Sequence, residues 1–212
     1  MACEKQNAGG CAAVVLAAGE ARRFGVQKLL MPFGDGTVIG SVVGALAAAG
    51  VAPIIVVVGR DAEQIAAAVG DRAQVVRNPD PGRGMLSSIQ TGVAVLPAEV
   101  SRFLIALGDQ PRLRPADVVA LLAAQQESRR GLAIPVHEGR RGHPIVASGI
   151  YRRAILELDA HQTLRDLVRA RHHDCVEVVC DSDAVVRDID TQEQYQDELR
   201  RALAERDPRA VR

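Results

Sequence analysis

The run Ile54-Ile55-Val56-Val57-Val58 constrains the fold of this chain more than any other stretch. Five β-branched side chains in succession after Pro53 favour extended backbone and leave no polar face, which predicts a strand covered on both sides. A strand of that kind belongs to a sheet with helices packed above and below it. The flanking segments supply such helices. Thr37–Ala49 is rich in small residues and stops at Gly50. Asp61 is placed to cap a helix that runs to about Val69 and closes at Gly70.

The alternation continues along the chain. Strand-like runs fall at Ala12–Ala17, Gln74–Arg77, Arg102–Leu107, Leu132–Val136, Pro144–Ala147 and Val176–Cys180, with a last one near Val185–Ile189. Helical patterns cover Met85–Leu96, Pro115–Ser128, Gly149–Leu158 and Thr163–Ala170, and a charged helix ends the chain. Pro115 suits a first helical turn. No low-complexity linker or internal repeat divides the sequence. The expectation is a single α/β domain, a Rossmann-like three-layer sandwich with a mostly parallel sheet. In such sheets ligands bind beyond the carboxyl ends of the strands.

Composition removes several function classes. Aromatic residues make up 2% of the chain and the formal net charge is zero, so neither a base-stacking surface nor a global cationic field is present for nucleic acid. No stretch reaches the roughly 18 consecutive apolar residues of a membrane span. The first eleven residues lack the apolar centre of a signal peptide, which makes a cytoplasmic location the expectation. Cys3, Cys11, Cys175 and Cys180 form no Cys-x-x-Cys pair and read as free thiols.

The first chemical motif follows the first strand: Leu16-Ala17-Ala18-Gly19, then Arg23 and Lys28. Small residues at 17–19 let backbone N–H groups approach phosphates closely. Arg23 adds a planar fork of donors and Lys28 a point charge, which suits a triphosphate. Two better-known loops do not fit. The middle glycines of a dinucleotide fingerprint are missing, and Lys28 lacks the preceding glycine and following Ser or Thr of a P-loop. An ordinary strand-to-helix turn with solvated Arg and Lys is the alternative on spacing alone.

Together, these residues resemble the molybdenum-cofactor nucleotidyltransferases, the MobA-like NTP transferases, and their sugar-nucleotide relatives. Leu16 to Lys28 resembles the family's nucleotide loop. Asn78-Pro79-Asp80, with Gly82, Gly84, Ser87 and Ser88, resembles its second nucleotide segment. Gly108-Asp109-Gln110-Pro111 resembles its metal-binding motif, Gly142-His143-Pro144 its substrate-side motif, and Asp188-Ile189-Asp190-Thr191 its closing motif. The motifs occur in family order from about Val14 to Tyr195.

The resemblance implies a fold of the nucleotide-diphospho-sugar transferase type, with nucleotide in the N-terminal half and acceptor in the C-terminal half. It also implies attack by the phosphate of molybdopterin cofactor on the α-phosphorus of CTP, giving a cytosine dinucleotide and pyrophosphate. Leu16, Ala17, Ala18, Gly19, Lys28, Asn78, Gly84, Ser87 and Ser88 are then expected at the nucleotide. Arg23, Lys28 and Asp109 are expected to carry the chemistry. Asp109 and Asp190 are the expected magnesium ligands, with Asp188 as the alternative second one, since alternation along a strand would put it on the face of Asp190. Arg141, Gly142, His143 and Pro144 are expected at the acceptor, with Arg140 in the same loop.

Ala18 bears on nucleotide choice. Cytidylyl members of the family resemble this chain in having Leu-Ala-Ala-Gly, whereas guanylyl members usually have Leu-Ala-Gly-Gly. A methyl-sized contact of this kind is worth about 1–3 kcal/mol, enough to bias selection toward a pyrimidine. Other readings stay open: another phosphorylated acceptor, GTP in place of CTP, a molybdenum-cofactor carrier or insertion chaperone, or a pterin- or dinucleotide-dependent oxidoreductase. A recipient molybdoenzyme or its chaperone is a further possible partner. His172-His173 reads as a solvated helix end, and Arg152-Arg153 as an exposed helix face.

Overall fold

The computed structural model describes residues 10–19 and 27–206. From the N-terminal side it contains β1 (Cys11–Ala17), a small ribbon of β2 (Pro32–Phe33) and β3 (Gly36–Thr37), α1 (Val38–Ala48), β4 (Ile54–Val58), α2 (Ala62–Val69) and β5 (Gln74–Arg77). Then follow α3 (Met85–Ala94), β6 (Arg102–Leu107), α4 (Pro115–Ser128), β7 (Leu132–His137), β8 (Arg140–Arg141) and β9 (Ile145–Ser148). The remaining elements are α5 (Tyr151–Leu156), α6 (Leu164–Ala170), β10 (Cys175–Val179) and α7 (Gln192–Arg206).

The main sheet has the order β10-β7-β9-β6-β1-β4-β5, with β8 paired to β7. Strands β6, β1, β4 and β5 run parallel, as do β7 and β10, while β9 is antiparallel to both β6 and β7. All five residues of β4 are buried, as the β-branched run requires. Alternate residues of β1 enter two separate cores. Ala13 and Val15 pack with α1, α2 and α4, whereas Ala12 and Val14 pack with α3, α5 and α6. These are the two outer layers of the sandwich expected from the sequence.

Two local expectations are corrected. Asp61 precedes α2, but its side chain makes no cap hydrogen bond. Its carboxylate accepts from Gln27 Nε2 at 2.5 Å instead, which ties the start of α2 to the residue before Lys28. The strand expected near Val185–Ile189 is not formed. Asp183–Val186 is a 3-10 turn in which Ala184 N–H donates to Ser182 Oγ, and no strand pairs with it. Its backbone groups are spent elsewhere: Val185 O accepts from His143 N, and Ile189 N donates to Asp109 O.

A charge network fixes this returning segment. The buried Arg112 guanidinium contacts Asp183, Glu198 and Glu205, with distances of 2.5–2.6 Å. Arg187 joins Asp197 and Glu198 at 2.6 Å each. Through these contacts α7 holds residues 183–191 against the carboxyl end of β6. Tyr195 on α7 also donates to Pro32 O at 2.6 Å, which braces the segment after Lys28.

Candidate active site

Strands β1 and β6 are parallel neighbours, with Leu16 opposite Leu107, so their carboxyl ends open side by side. Gly108 N donates to Leu16 O at 3.0 Å and locks the two exits together. The chain leaving β1 supplies Ala18 and Gly19, while the chain leaving β6 supplies Asp109. Both border a cavity of about 590 Å³ that Leu16, Ala17, Lys28, Ser88 and Asp190 also line. Asp188 reaches it too, although the segment is not a strand.

Lys28 is held there by its neighbour. Leu29, in the middle of the short 3-10 turn Lys28–Leu30, is buried in the core, and Lys28 lines the cavity. Its Nζ lies 2.6 Å from Asp109 Oδ2 and 3.0 Å from Asp190 Oδ1. Burial alone would lower the Lys28 pKa, but Asp109 and Asp190 outweigh it and raise it, so the ammonium stays charged. Asp109 moves up from its ordinary value. Burial dominates and Asp188 adds to it, against the downward pull of Lys28. Among the described residues, the site is therefore one cation set among three carboxylates.

Two of those carboxylates, Asp109 and Asp190, both contact Lys28 Nζ, and they are the groups that could hold a magnesium ion together with waters and substrate phosphate oxygens. The pair does not make a complete protein cage: among the described residues, no three His, Cys, Asp or Glu side chains converge on one metal position.

The second nucleotide segment is built around Asn78. Its N–H bonds Val58 O at 2.8 Å, at the carboxyl end of β4. The buried side chain donates to Ser87 and Ser88 Oγ at 2.9 Å each and accepts from Asp80 N at 2.9 Å. Ser87 Oγ in turn donates toward Gly84 O. Asn78 and Ser87 are thus committed to holding the turn, while Ser88, Gly84, Pro81 and Gly82 border the cavity. Gly84 adopts φ 89°, a left-handed value that admits glycine, and presents the N-terminus of α3 to the cavity. Helix N-termini favour anions.

A second cavity, about 560 Å³, adjoins the first, and Gly84 and Met85 stand in the wall of both. Gly142 and His143 line it, whereas Pro144 lies buried outside that wall. Gly142 N donates to Pro135 O and His143 N to Val185 O, which fixes the loop beneath the returning segment. Arg141 borders the cavity with its guanidinium paired to Glu177 at 2.6 Å. Arg140 faces a different, polar hollow beside Arg112 and Asp183. Burial, reinforced by the nearby Arg165, lowers the His143 pKa to about 4, so its imidazole is neutral.

Arg23 lies outside the described residues. His172 and His173 are exposed in a short turn before β10, away from both cavities. Sequence reading missed Met85, Arg83 and Arg165, all of which line the second cavity. Arg83 carried a signal in its position between Gly82 and Gly84. Arg165 carried none, because only the tertiary packing that puts α6 in the same cavity wall as α3 and β7 brings it there.

A model of the MobA-like NTP transferase domain matches residues 13–176. Bifunctional protein GlmU of Sinorhizobium medicae is 31% identical over 74% of the chain, and the match spans about a third of that relative's length (34%). Molybdenum cofactor cytidylyltransferase of Escherichia coli is 25% identical over 86% of this chain and 92% of the relative. Nicotine blue oxidoreductase of Paenarthrobacter nicotinovorans is 28% identical over 85% of this chain and 92% of the relative. Among solved structures, Rv0371c of Mycobacterium tuberculosis superposes with a TM-score of 0.80 at 27% identity, covering 90% of this chain and 97% of that one. Its complex with manganese gives a TM-score of 0.75 at 26% identity, covering 90% and 98%.

Proposed function

The chain belongs to the MobA-like NTP transferase family, and we propose that it transfers CMP from CTP to the phosphate of molybdopterin cofactor, releasing pyrophosphate. The observation that carries this reading is the pair of adjoining cavities with Gly84 and Met85 in their common wall. A triphosphate in the first and a phosphorylated acceptor in the second would meet there, with the α-phosphorus beside Lys28. Holding two reactants in line is a large part of what phosphoryl chemistry needs.

The nucleophile requires no strong base. A phosphate monoester has its second pKa near about 6 and is already anionic at neutral pH. Lys28, charged and set at the mouth between β1 and β6, neutralises charge that builds on the transferring group. Arg23, in the same nucleotide loop of the sequence, is assigned the same work. Asp109 and Asp190 would hold magnesium, which supplies Lewis-acid stabilisation of the phosphate oxygens. The N-terminus of α3, with Gly84 and Ser88, receives further phosphate or sugar oxygens.

CTP is the assigned nucleotide because Ala18 lines the first cavity, where its methyl would narrow the space for a purine. Similarity to the cytidylyltransferase of Escherichia coli supports the same nucleotide and acceptor. The chain would act in the cytoplasm and hand its product to a molybdoenzyme or that enzyme's chaperone. The test is direct: incubate the protein with magnesium, each nucleoside triphosphate and molybdopterin cofactor, then measure pyrophosphate and the dinucleotide. Equal turnover of GTP and CTP removes the nucleotide assignment, and no product with any triphosphate removes the transferase reading.

A second reading, an oxidoreductase, is favoured by similarity to the nicotine blue oxidoreductase. It would leave the Lys28–Asp109–Asp190 cluster without a task. A flavin or nicotinamide absorbance that stays with the purified protein would decide for it.

A further inference from the structure

Lys28, Asp109 and Asp190 come from three distant stretches of chain, and each stretch is tied to α7 close to its site residue. Just past Lys28, Pro32 O accepts from the Tyr195 hydroxyl at 2.6 Å. Just past Asp109, Arg112 Nε donates to Glu198 Oε2 at 2.6 Å. Gln194 Oε1 accepts from the backbone N–H of Asp190 itself at 2.6 Å and from that of Thr191 at 2.9 Å.

Among these ties the Arg112–Glu198 pair differs in kind. Both side chains are almost fully buried, at 3% and 1% exposure, and neither borders the first cavity. The other carboxylate oxygen of Glu198 accepts from Arg187 at 2.6 Å, so one buried group joins the loop after β6 to the returning segment. Taking two charges out of water costs about as much as their attraction returns, and an apolar pair of similar volume often holds a fold equally well. What a charge-assisted, forked contact adds is direction and register.

Asp190 needs that register. The segment carrying it pairs with no strand, and its side chain is 57% exposed, so packing does not place it. Its neighbour Ile189 meets the β6 loop through a backbone bond, N–H to Asp109 O at 3.1 Å. We propose that Arg112 and Glu198 are positioning residues for the transfer reaction: their buried pair fixes α7 against the β6 loop, and α7, through Gln194, sets Asp190 beside Asp109 and Lys28. The proposal rests on the nucleotidyl-transfer reading and adds to it the groups that align its metal-binding carboxylates. One turn of helix separates Glu198 from Gln194, so a shift at the pair reaches the Asp190 backbone with little loss. Magnesium demands short oxygen distances in near-octahedral geometry, so even a small shift counts.

The experiment uses the full chain with Arg112→Met and Glu198→Leu combined, which removes the pair without stranding a buried charge. Asp183 keeps Arg201 at 2.9 Å, Arg187 keeps Asp197 at 2.6 Å, and Glu205 is half exposed. The denaturation midpoint and the amide protection of β4 are expected near their wild-type values. Hydrogen exchange at the Ile189 N–H should quicken at least about 10-fold. Manganese alone, followed by electron paramagnetic resonance, should bind about 10-fold more weakly. Adding Asp190→Asn to the paired variant should then cost no further manganese affinity, because the carboxylate is already displaced. Arg153→Ala, whose pair with Glu157 is exposed on α5, should match the wild type throughout.

Wild-type exchange at Ile189 overturns the proposal, and so does an Asp190→Asn effect that stays at full size in the paired background, as a merely structural role requires. If the paired variant does not fold, Glu198→Gln carries the test with the same side-chain volume and no charge. Faster exchange at Ile189 is expected there, and wild-type exchange again overturns the proposal. The metal reading fails separately: wild-type manganese affinity in both Asp109→Asn and Asp190→Asn, beside quickened Ile189 exchange in the paired variant, removes the metal assignment and supports the positioning role.

Discussion

Lys28 Nζ and Asp109 Oδ2 lie 2.6 Å apart across 81 residues of chain, with Asp190 completing the contact at 3.0 Å. A triphosphate offers the ammonium more negative partners than Asp109 and Asp190 do, and a divalent cation offers those carboxylates a stronger one. Nucleotide and metal therefore exchange partners with the same salt bridge, so each should bind more tightly in the presence of the other. In Lys28→Met the carboxylates lose their internal cation. Manganese alone, followed by electron paramagnetic resonance, should then bind about 10-fold more tightly than to the wild type, while turnover falls at least about 100-fold. Equal manganese affinity in the two proteins would break the exchange argument.

Asp109 and Asp190 should not be equivalent. The Asp109 side chain is 19% exposed and that of Asp190 57% exposed. Charge interactions weaken in proportion to their exposure to water. Asp109→Asn should remove magnesium-dependent turnover, by about 1000-fold or more, with an unchanged circular dichroism spectrum. Asp190→Asn should be the milder change. Full activity in Asp109→Asn would remove that residue from the metal site.

Much of this arrangement was legible in the sequence because it is local. The β-branched run at 54–58, the small residues at 17–19 and the glycines around Asn78 each declare a backbone state within a few residues. The sandwich follows from their alternation. What was illegible depends on partners far along the chain. Val185–Ile189 has a strand's composition, yet Arg112 and the loop at Gly142 recruit it as a tether. Asp61 has a cap residue's chemistry, yet Gln27 takes its carboxylate. Arg165 joins the second cavity only through helix packing, which no spacing announces.

Asn78 should matter through what it holds. Its side chain is buried and joins Asp80, Ser87 and Ser88 by three hydrogen bonds of 2.9 Å. Asn78→Ala leaves those groups short of partners in a dry environment, at a cost of about 2–4 kcal/mol. The turn would also loosen around Gly84 and Ser88. Chemical denaturation should show the loss of stability, and the KM for CTP should rise more than kcat falls. A variant with wild-type stability would show that solvent replaces the lost bonds.

His143 sets a pH dependence of stability. Its folded pKa is lowered to about 4, chiefly by burial and then by Arg165, whereas a histidine in the unfolded chain titrates near about 6.5. Between those values the unfolded state binds a proton that the folded state refuses, so stability is complete above about pH 6.5 and declines as pH falls toward 4. The loss should approach roughly 2–3 kcal/mol. His143→Leu cannot take up the proton and should flatten this limb in a series of thermal melts. Asp183 contributes to a second decline, below about pH 3.9, together with Asp166, Asp174 and Asp197, whose carboxyls are also held low. Burial acts to raise the Asp183 pKa, but Arg112, Arg201 and Arg187 outweigh it and hold it low, so its stabilisation is lost only as pH falls further. A variant that keeps the wild-type slope between pH 6.5 and 4 would assign that limb to other groups.

Gly142 carries the most demanding contact in the second cavity. A Cβ added there would lie 1.9 Å from Val185 O and 2.7 Å from its carbonyl carbon, both backbone atoms with no rotamer to escape into. The same carbonyl accepts from His143 N at 2.8 Å, so it cannot retreat without breaking that bond. Gly142→Ala must therefore displace residues 183–189, and with them Asp188 and Asp190 from the first cavity. The expected result is a loss of at least about 2–3 kcal/mol, within the usual range for overpacking, together with a fall in kcat that exceeds any change in the KM for the acceptor. Gly139→Ala, at φ 76° with open space around its Cβ, is the informative comparison. It strains the backbone of the same hairpin without touching Val185, so it should lower stability and leave kcat near the wild-type value. Equal kcat losses in the two variants would show that the hairpin acts as a whole, and that the contact between Gly142 and Val185 does not by itself carry the alignment of the two cavities.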